Sequence, residues 1–584
     1  MCLAGALWVY MRLWRDPAAR EPAYYASDPA QHKWFLAHGL RVVTGAVDPF
    51  FTEMLNAPHG VNLMANTTML GLGVPLAPVT WLFGVDVSLA VALTVGLAGT
   101  AFAWYWLLSR HVVTSPLAAA VGGLFCGFAP SMVSHAGWHT NFVAQFLVPF
   151  IVWRVLKLAE EGRVVRNGVI LGLLVAYQAF VNEEILLFTA LASGVFLGIW
   201  ALQRRRFSWT FVKALGVTGL VAFALLAYPL WVQFFGPMHY SGLSSHGFNV
   251  RADAISYFAF GTETVSGIAR ANEGIAPNFA EENTFLGLPL LVLVAVIVWW
   301  RRRDVVIRAL ALTAGVFALF SLGTRIRING HSTGIPGPWA VLDRVPILDA
   351  VMPSRFGLVV TACVGVLLAL GTDEYLRVVR EAGHEETAPE WTRRQTGRLG
   401  LAPARLLGLG ALAVALLPVA PTPLRMIDHE PMPRFITDGG WRAYVTPGQT
   451  LVPIPIPEPG EGTGMHWAAL NRLEFAIPRG YFMGPEEGVA GNPGTFGAPK
   501  DPAVELINRI RIDEDEPLVA PTPVWREEVV KVLREWNAAV IVLNNHYSYA
   551  DEHLENLTIL FGQGQLIGDA WVWDVRGIVR GSDR

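Results

Sequence analysis

The sequence predicts a mainly α-helical membrane protein: a polytopic transmembrane bundle of about eleven spans, followed by a small C-terminal α/β domain. Three observations support this fold class. The 584 residues are 53% hydrophobic and only 16% charged, which lies outside the range of ordinary soluble domains. Apolar segments recur to about residue 421, and the Arg-bearing connections between them fall nearly all on one side. Beyond that point, short apolar runs alternate with prolines.

The apolar segments are the candidate spans, because a helix that crosses a bilayer needs roughly 20 mostly apolar residues. The first, Met1–Trp14, lacks the basic start and cleavage site of a signal peptide. The others are 88–109, 116–133, 141–158, 167–181, 183–202, 211–233, 284–300, 304–322, 355–376 and 405–421. Thr67–Gly84 is also apolar, but its Gly-x-Gly pattern, Pro75 and Pro78 favour an interfacial or re-entrant segment that does not cross.

Basic residues set the orientation, because cytoplasmic connections are rich in Lys and Arg. The clusters are Arg110-His111, Arg154 to Arg166, Arg204 to Arg206 with Lys213, Arg301 to Arg303, and the stretch 377–404. One orientation of the spans places all these clusters on the cytoplasmic side, and the N-terminus then lies in the cytoplasm. The predicted location of the protein is the plasma membrane. The outer side then receives the loops 15–66, 234–283 and 323–354. The division is a membrane domain over 1–421 and an extracytoplasmic domain over 422–584.

The extracytoplasmic domain shows the alternation of strands and helices that is typical of a small α/β fold. Two apolar runs, Leu451–Ile456 and Ala538–Leu543, are predicted strands. The second lies between helix-like stretches at 525–536 and 550–562, and the chain ends on a strand-like run at Ala570–Val575. No motif in this region indicates catalysis.

Charge and cysteine content exclude some classes of protein. A net charge of -3 lacks the excess of basic residues that is typical of proteins that bind nucleic acid. The three cysteines, Cys2, Cys126 and Cys363, lie in apolar stretches without the spacing of a disulfide framework or a zinc site.

The first outer loop carries an acidic candidate, Asp28, in the sequence Ser27-Asp28-Pro29. A carboxylate just beyond the first span, beside interfacial aromatics, is placed to act as a base or metal ligand at the bilayer surface. The alternative is a structural role, in which Asp28 and Pro29 open an amphipathic helix. The sequence leaves both interpretations open.

Two further candidates lie in short outer connections. Glu183 and Glu184 stand at the mouth of a predicted helix hairpin, where charges are costly and therefore indicate function. Adjacent glutamates point in different directions on a helix, so one of them is expected to act and the other to favour the helix dipole. His135 and His139 are spaced to face one another on one helical turn and to help hold a divalent metal or a phosphate, although interfacial histidines also occur without ligands.

Arginines on the outer side run against the usual charge distribution of membrane proteins. Arg325 and Arg327 lie in the loop 323–354, and Arg355 stands at the start of the next span. The guanidinium fork suits a phosphate or pyrophosphate. The alternative is an arginine that extends to the interface. The loop 234–283 is expected to be mostly solvated surface.

Several short motifs together carry a family resemblance over essentially the whole chain. They are Ser27-Asp28-Pro29-Ala30-Gln31-His32-Lys33-Trp34-Phe35-Leu36, Asp48-Pro49-Phe50, Pro58-His59-Gly60-Val61-Asn62-Leu63, Gly127-Phe128-Ala129-Pro130-Ser131, Asn182-Glu183-Glu184 and Pro353-Ser354-Arg355-Phe356. With this topology, the chain resembles the GT-C superfamily of polytopic glycosyltransferases that use lipid phosphosugars, in particular poorly characterised actinobacterial membrane proteins of that type.

The resemblance implies a polyprenyl-phosphate-sugar donor, a glycan or lipid acceptor on the outer side, and inversion at the anomeric carbon. It assigns the role of base to Asp28, which would deprotonate the acceptor hydroxyl. Arg355, with Arg325 or Arg327, would stabilise the departing phosphate.

Acceptor and metal binding complete what the resemblance implies. Glu183, Glu184 and His139 would bind acceptor hydroxyls or a Mg²⁺ or Mn²⁺ ion, with Asp28 and His139 as candidate metal ligands. No nucleotide cofactor is expected. Two alternatives stay open: a non-catalytic protein that binds a lipid-linked glycan, and a transporter or flippase of lipid-linked cargo.

Overall fold

The computed structural model describes residues 1–23, 27–45, 47–137, 139–204, 208–243, 250–381, 401–486, 488–510 and 522–581. Some of the basic residues that set the predicted orientation lie outside the described residues: Arg205, Arg206, and those of the stretch 377–404 that fall within 382–400. So do the aromatic residues Tyr24 and Tyr25 beside Asp28.

Helices dominate the described residues, and the predicted mainly α-helical fold class is confirmed. In chain order the helices are α1 Cys2–Val9, α2 Ser27–Val43, α3 Leu70–His111, α4 Pro116–Phe128, α5 Pro130–His135, α6 Thr140–Val143, α7 Val148–Lys157, α8 Val164–Ala179, α9 Glu183–Arg204, α10 Trp209–Phe235, α11 Ala269–Asn272, α12 Leu288–Trp300, α13 Val305–Ser321, α14 Gly357–Glu381, α15 Leu401–Leu416, α16 Arg434–Thr437, α17 Thr463–Leu470, α18 Pro502–Ile507, α19 Pro523–Glu535, α20 Ala550–Phe561 and α21 Arg576–Arg580.

The strands are short and mostly paired as hairpins. They are β1 Arg20–Pro22, β2 Phe51–Thr52, β3 Val61–Asn62, β4 Arg325–Ile328, β5 His331–Pro336, β6 Met426–Asp428, β7 Thr450–Ile454, β8 Met483–Pro485, β9 Gly494–Phe496, β10 Ala538–Asn544, β11 Gln565–Ile567 and β12 Ala570–Asp574.

Membrane-length helices are present, as the composition predicts. Among the described residues, 5 helical segments are long and apolar enough to cross a membrane: Leu70–His111, Pro116–His135, Glu183–Arg204, Trp209–Phe235 and Pro353–Glu381. Shorter apolar helices at Val164–Ala179, Leu288–Trp300, Val305–Ser321 and Leu406–Leu416 coincide with further predicted spans. The protein is therefore of the membrane class, whereas the number of crossings and the orientation stay predictions.

The apolar segment Thr67–Gly84 is helical from Leu70 and continues into the next predicted span as part of α3. Pro75 and Pro78, which favour an interfacial or re-entrant segment in the sequence, lie inside the helix. The interruption falls at Gly84, whose φ of 83° is a conformation that glycine adopts without strain. Whether this segment crosses the membrane stays a prediction.

The chain divides into two compact units, each built from separate stretches. The helical unit comprises Met1–Arg12, Ala92–Leu225 and His246–Leu424, and the mixed unit comprises Leu13–Val91, Leu226–Ser245 and Arg425–Arg584. The last change of unit, after Leu424, lies close to the predicted boundary at 421/422. The stretches 13–91 and 226–245 belong to the same unit as the C-terminal region, within which β1 pairs with β6. The division into a membrane domain and an extracytoplasmic domain stays a prediction.

The helical unit packs α14 against α4 and α13, and α13 also packs against α9. The start of α4 is tied to α14 by Asp373, whose carboxylate accepts hydrogen bonds from the backbone N–H groups of Thr114 and Ser115. This packing matters for the site described below, because α14 begins two residues after Arg355 and α4 leads into α5, which carries His135.

The mixed unit contains a four-stranded sheet in the order β11-β12-β10-β7, in which β7 and β10 are parallel and β12 is antiparallel to β10. The strands β7, β10 and β12 lie where the sequence predicts them. Residues of β10 are fully buried, because the sheet packs against α18, α19 and α20. The extracytoplasmic location of this region stays a prediction.

Candidate functional site

An ion-pair cluster lies within the helical unit around Arg355. Its guanidinium Nη1 is 2.7 Å from Oε2 of Glu184, and its Nη2 is 2.7 Å from Oε1 of Glu281. Arg355 is 9% exposed and Glu281 is 3% exposed, so these charges are largely out of solvent. Two carboxylates thus face one guanidinium, and the cluster carries an excess of negative charge.

The second oxygen of Glu281 is also hydrogen-bonded. Its Oε2 accepts from Oγ of Ser354 at 2.9 Å and from Nδ2 of Asn283 at 2.6 Å. Burial alone would raise the pKa of Glu281, but the positive charge of Arg355 and the hydrogen bonds to the carboxylate outweigh it, and the pKa is lowered. Glu281 is therefore ionised at neutral pH.

The ionised state of Glu281 gives a testable pH dependence. Because the folded-state pKa is lowered, the stability that this carboxylate contributes is fully present above its unfolded-state pKa of about 4.3 and is lost as the pH falls through the folded-state value. We expect the wild type to melt at a higher temperature than Glu281→Gln at pH 7, and this gap to shrink in acid. A gap that stays constant into strong acid would contradict this expectation. Glu53→Gln, at an exposed position, is the control.

Two histidines lie beside the ion pairs. Nδ1 of His135 is 2.7 Å from Nδ1 of His139, so the two rings face one another as their spacing predicts and share one proton. His135 also stacks on Phe142, and the guanidinium of Arg355 lies 4.5 Å from the centre of the same ring. His135 is fully buried, and its Nε2 has no hydrogen-bond partner among the described residues.

His135, His139 and Glu281 form a set that can hold a metal ion. Each offers one ligand atom, and these atoms lie within 4.8 Å of one another. A carboxylate oxygen has more than one lone pair, so the hydrogen bonds to Glu281 do not exclude it as a ligand. Two imidazole nitrogens and one carboxylate suit Mn²⁺ or another transition ion better than Mg²⁺, which prefers oxygen ligands and water.

The structure brings together three of the predicted side chains, Glu184, Arg355 and His139, in one cluster. Glu183 opens α9 beside Glu184. Asp28 lies in the mixed unit, in the first turn of α2. That position agrees with the helix-opening interpretation, and its role as base or metal ligand stays a prediction.

The two other predicted arginines lie in the hairpin of β4 and β5. Arg325 is exposed. Arg327 donates to the carbonyl oxygen of Gly274 at 2.5 Å, and its Nε is 3.9 Å from Oδ2 of the buried Asp253. These contacts of Arg327 hold the hairpin to the preceding loop. The predicted role of both arginines at a phosphate stays a prediction.

The sequence did not single out Glu281, because the loop 234–283 was expected to be mostly solvated surface. That expectation is wrong for its last residues: Glu281, Glu282 and Asn283 are 3%, 2% and 0% exposed. Glu282 accepts hydrogen bonds from the N–H and the hydroxyl of Thr262, and burial raises the pKa of Glu282. A signal was present, since paired glutamates beside an asparagine and next to an apolar span mark both Asn182-Glu183-Glu184 and Glu281-Glu282-Asn283.

An apolar cavity of about 230 Å³ lies in the same unit. Its lining includes Trp104 and Leu107 of α3, Val148 and Val152 of α7, Phe188 and Ala192 of α9, Val306 and Leu310 of α13, and Leu358 and Cys363 of α14. Gln145, Ile185 and Leu358 of the lining are one to three positions from the cluster residues Phe142, Glu184 and Arg355. The cavity therefore lies among the helices of this unit, and parts of its lining are close in sequence to the polar cluster.

The fold is similar to that of one solved arabinofuranosyltransferase. The structure of the arabinofuranosyltransferase AftD from Mycobacteria superposes with a TM-score of 0.58 at 12% sequence identity, over 98% of this chain and 39% of AftD. This likeness is one of fold alone, and the chain spans well under half the length of AftD.

Weaker likenesses exist to the oligosaccharyltransferase of Archaeoglobus fulgidus. The apo form gives a TM-score of 0.44 at 11% identity, and AglB in complex with an inhibitory peptide and a dolichol-phosphate gives 0.42 at 12% identity. Each covers 93% of this chain and 68% of the other, and both are too distant to argue from. No curated protein matches the sequence. The chain belongs to the family described as Domain of unknown function (DUF6311), whose model matches residues 28–364.

Proposed function

We propose that this protein transfers a sugar from a polyprenyl-phosphate donor to a glycan or lipid acceptor outside the cytoplasm, with inversion at the anomeric carbon. The observation that carries the proposal is that one unit holds both an apolar cavity among its helices and the charged cluster of Arg355, Glu184, Glu281 and the two histidines. A lipid phosphosugar has the same two parts: an apolar chain that belongs among membrane helices and a charged head that needs polar partners.

The charge balance of the cluster indicates what the phosphate head requires. Nη1 and Nη2 of Arg355 are each engaged by a carboxylate, and the two carboxylates outnumber the one guanidinium, so the cluster as it stands repels an anion. A divalent ion held by His135, His139 and Glu281 would supply positive charge to the donor phosphate. Arg355 donates to the carboxylate of Glu281 and so helps to fix this ligand beside the histidines.

Glu184 and Asp28 are the candidate acid–base groups. Glu184 is the less buried of the two carboxylates on Arg355, with 24% of its side chain exposed, and it suits binding or deprotonation of an acceptor hydroxyl. The resemblance to GT-C enzymes assigns that role to Asp28. The two assignments predict different variants to be inactive.

The test is sugar transfer in proteoliposomes from a panel of polyprenyl-phosphate sugars to lipid and glycan acceptors. We expect transfer by the wild type, a product of inverted anomeric configuration, and a loss of at least about 100-fold in Glu184→Gln and His139→Ala. Asp48→Asn, an exposed residue that caps a turn in the outer loop, is the matched control and is expected to be fully active.

Other outcomes would change the assignment. Loss of transfer in Asp28→Asn alone, with Glu184→Gln active, would move the base to Asp28. Saturable binding of lipid phosphosugars without transfer by any variant would contradict the proposal and favour a non-catalytic protein that binds a lipid-linked glycan. Movement of labelled lipid across the bilayer, again without transfer, would favour a flippase.

A further inference from the structure

A second buried polar cluster lies within the mixed unit. Nζ of Lys33 is 2.7 Å from Oδ1 of Asp86 and 3.1 Å from Nε2 of His466. Nε2 of His466 is in turn 3.1 Å from Oδ1 of Asp86. The side chains of Lys33 and Asp86 are only 3% and 7% exposed, so this arrangement is part of the interior.

Four separate stretches of the chain build this cluster. Lys33 comes from α2, and Asp86 follows the interruption of α3 at Gly84. His466 comes from α17 and His429 follows β6, with its ring 5.1 Å from that of His466. This assembly of α2, α3, α17 and the β6 end within one unit holds four side chains that are distant in sequence.

The hydrogen bonding within the cluster is incomplete. Nε2 of His466 faces both an ammonium, which needs a lone pair, and a carboxylate, which needs a proton, and one ring nitrogen offers only one of these at a time. Nε2 of His429 is buried and has no hydrogen-bond partner among the described residues. Nε2 of His466 thus satisfies only one of its two neighbours at a time, and Nε2 of His429 satisfies none.

The donor atoms suit a metal ion. One atom each from Asp86, His429 and His466 lies within 4.8 Å of the other two. The separation of 3.1 Å between Nε2 of His466 and Oδ1 of Asp86 is close to that of two ligands on a tetrahedral ion with bonds of about 2.0–2.1 Å. Two imidazoles and one carboxylate favour ions of the zinc class over Mg²⁺ and Ca²⁺, which prefer oxygen.

We propose that Asp86, His429 and His466 form a binding site for a divalent ion of the zinc class, and that the ammonium of Lys33 competes with the ion for this site. Three protein ligands leave a fourth position for water or a ligand oxygen. Lys33 holds the Asp86 carboxylate in place without metal, and it leaves Asp86 when the ion enters.

The first experiment measures Zn²⁺ binding to the purified full-length protein after treatment with a chelator, by competition with a chromophoric zinc indicator. The variant His135→Ala/His139→Ala serves as the background, since it removes two ligands of the other candidate site. In this background we expect one equivalent of Zn²⁺ to remain, and its affinity to fall at least about 100-fold in His429→Ala or His466→Ala. His59→Ala, an exposed histidine of the same unit, is the matched control and is expected to bind as the background does.

Lys33→Met tests the competition directly. Removal of an ammonium from contact with two of the ligands should raise the zinc affinity at least about tenfold, because the ion no longer displaces a like charge. The variant also leaves Asp86 buried without a cation, so its melting temperature should fall without metal and rise strongly with Zn²⁺. If the melting temperature of Lys33→Met does not change when Zn²⁺ is added, the proposal is overturned.

A third experiment uses a variant that should gain a spectroscopic signal, because a lost signal could also result from a variant that does not fold. With Co²⁺ as the probe, His429→Cys should create a thiolate-to-cobalt charge-transfer band that the wild type, with its own three cysteines at Cys2, Cys126 and Cys363, does not show. Absence of this band in folded protein, or zinc binding that His429→Ala and His466→Ala leave unchanged, would mean that only adventitious surface zinc is bound.

Discussion

Replacement of Arg355 by Met is expected to lower the free energy of unfolding by about 3–5 kcal/mol, because Glu281 then stays buried without its counter-charge. The hydrogen bonds from Ser354 and Asn283 to Glu281 remain, but they do not neutralise a carboxylate that is 3% exposed. The loss can be measured by denaturant titration of the detergent-solubilised protein. Wild-type stability of Arg355→Met would contradict the ion-pair account.

A second substitution separates stability from function. Arg355→Met combined with Glu281→Leu removes the uncompensated charge and fills the space with apolar atoms, so much of the stability should return. Sugar transfer should stay lost in the double variant, because the metal set loses its carboxylate and the cluster loses its cation. Recovery of both stability and transfer would show that Arg355 and Glu281 only hold the fold.

Sequence reasoning found those residues whose own position is unusual. Glu184 and Arg355 stand out one by one, because a charge at the end of an apolar span is costly unless it is used. Their contact could not be predicted, since the two residues are 171 positions apart in the chain. Glu281 was missed because a long polar loop is usually solvated, and only tertiary structure shows that the end of this loop is buried.

The same limit explains the second cluster and the division into units. Lys33 and His466 are 433 positions apart, and Asp86 and His466 are 380 apart, so nothing local to any one of them reveals the others. The five membrane-length helices were predictable because length and composition alone indicate them, whereas the number of crossings stays a prediction. The mixed unit was only partly predictable, because it joins segments from distant parts of the chain to the C-terminal region through pairings such as Glu21 with Ile427.

The second large effect on stability is expected from substitution of a glycine at the contact of α4 with α14. A methyl group added at Gly122 would come within 2.5 Å of the backbone oxygen of Gly365 and 2.8 Å of Leu108 Cδ1. Backbone cannot retreat as a flexible side chain can, so the two helices must separate. We expect Gly122→Ala to lower the free energy of unfolding by about 1–3 kcal/mol, and Gly122→Leu to lower it by more.

The control for this prediction is a glycine in a membrane-length helix with free space around it. A methyl group added at Gly194 in α9 meets nothing within 4 Å, so Gly194→Ala should stabilise the protein by about 0.5–1 kcal/mol through helix propensity alone. The same chemical change is thus expected to have opposite signs at the two positions. Equal effects would mean that the close approach of α4 and α14 does not limit stability.

The position of this contact links packing to the proposed chemistry. Arg355 lies just before α14, and His135 lies at the end of α5, which follows α4 directly. Helices held apart at Gly122 would therefore shift Arg355 relative to His135 and loosen the ligand set. We expect Gly122→Ala to reduce sugar transfer even at temperatures where the variant remains folded, while Gly194→Ala keeps wild-type transfer. Full transfer by folded Gly122→Ala would show that the cluster keeps its geometry independently of this helix contact.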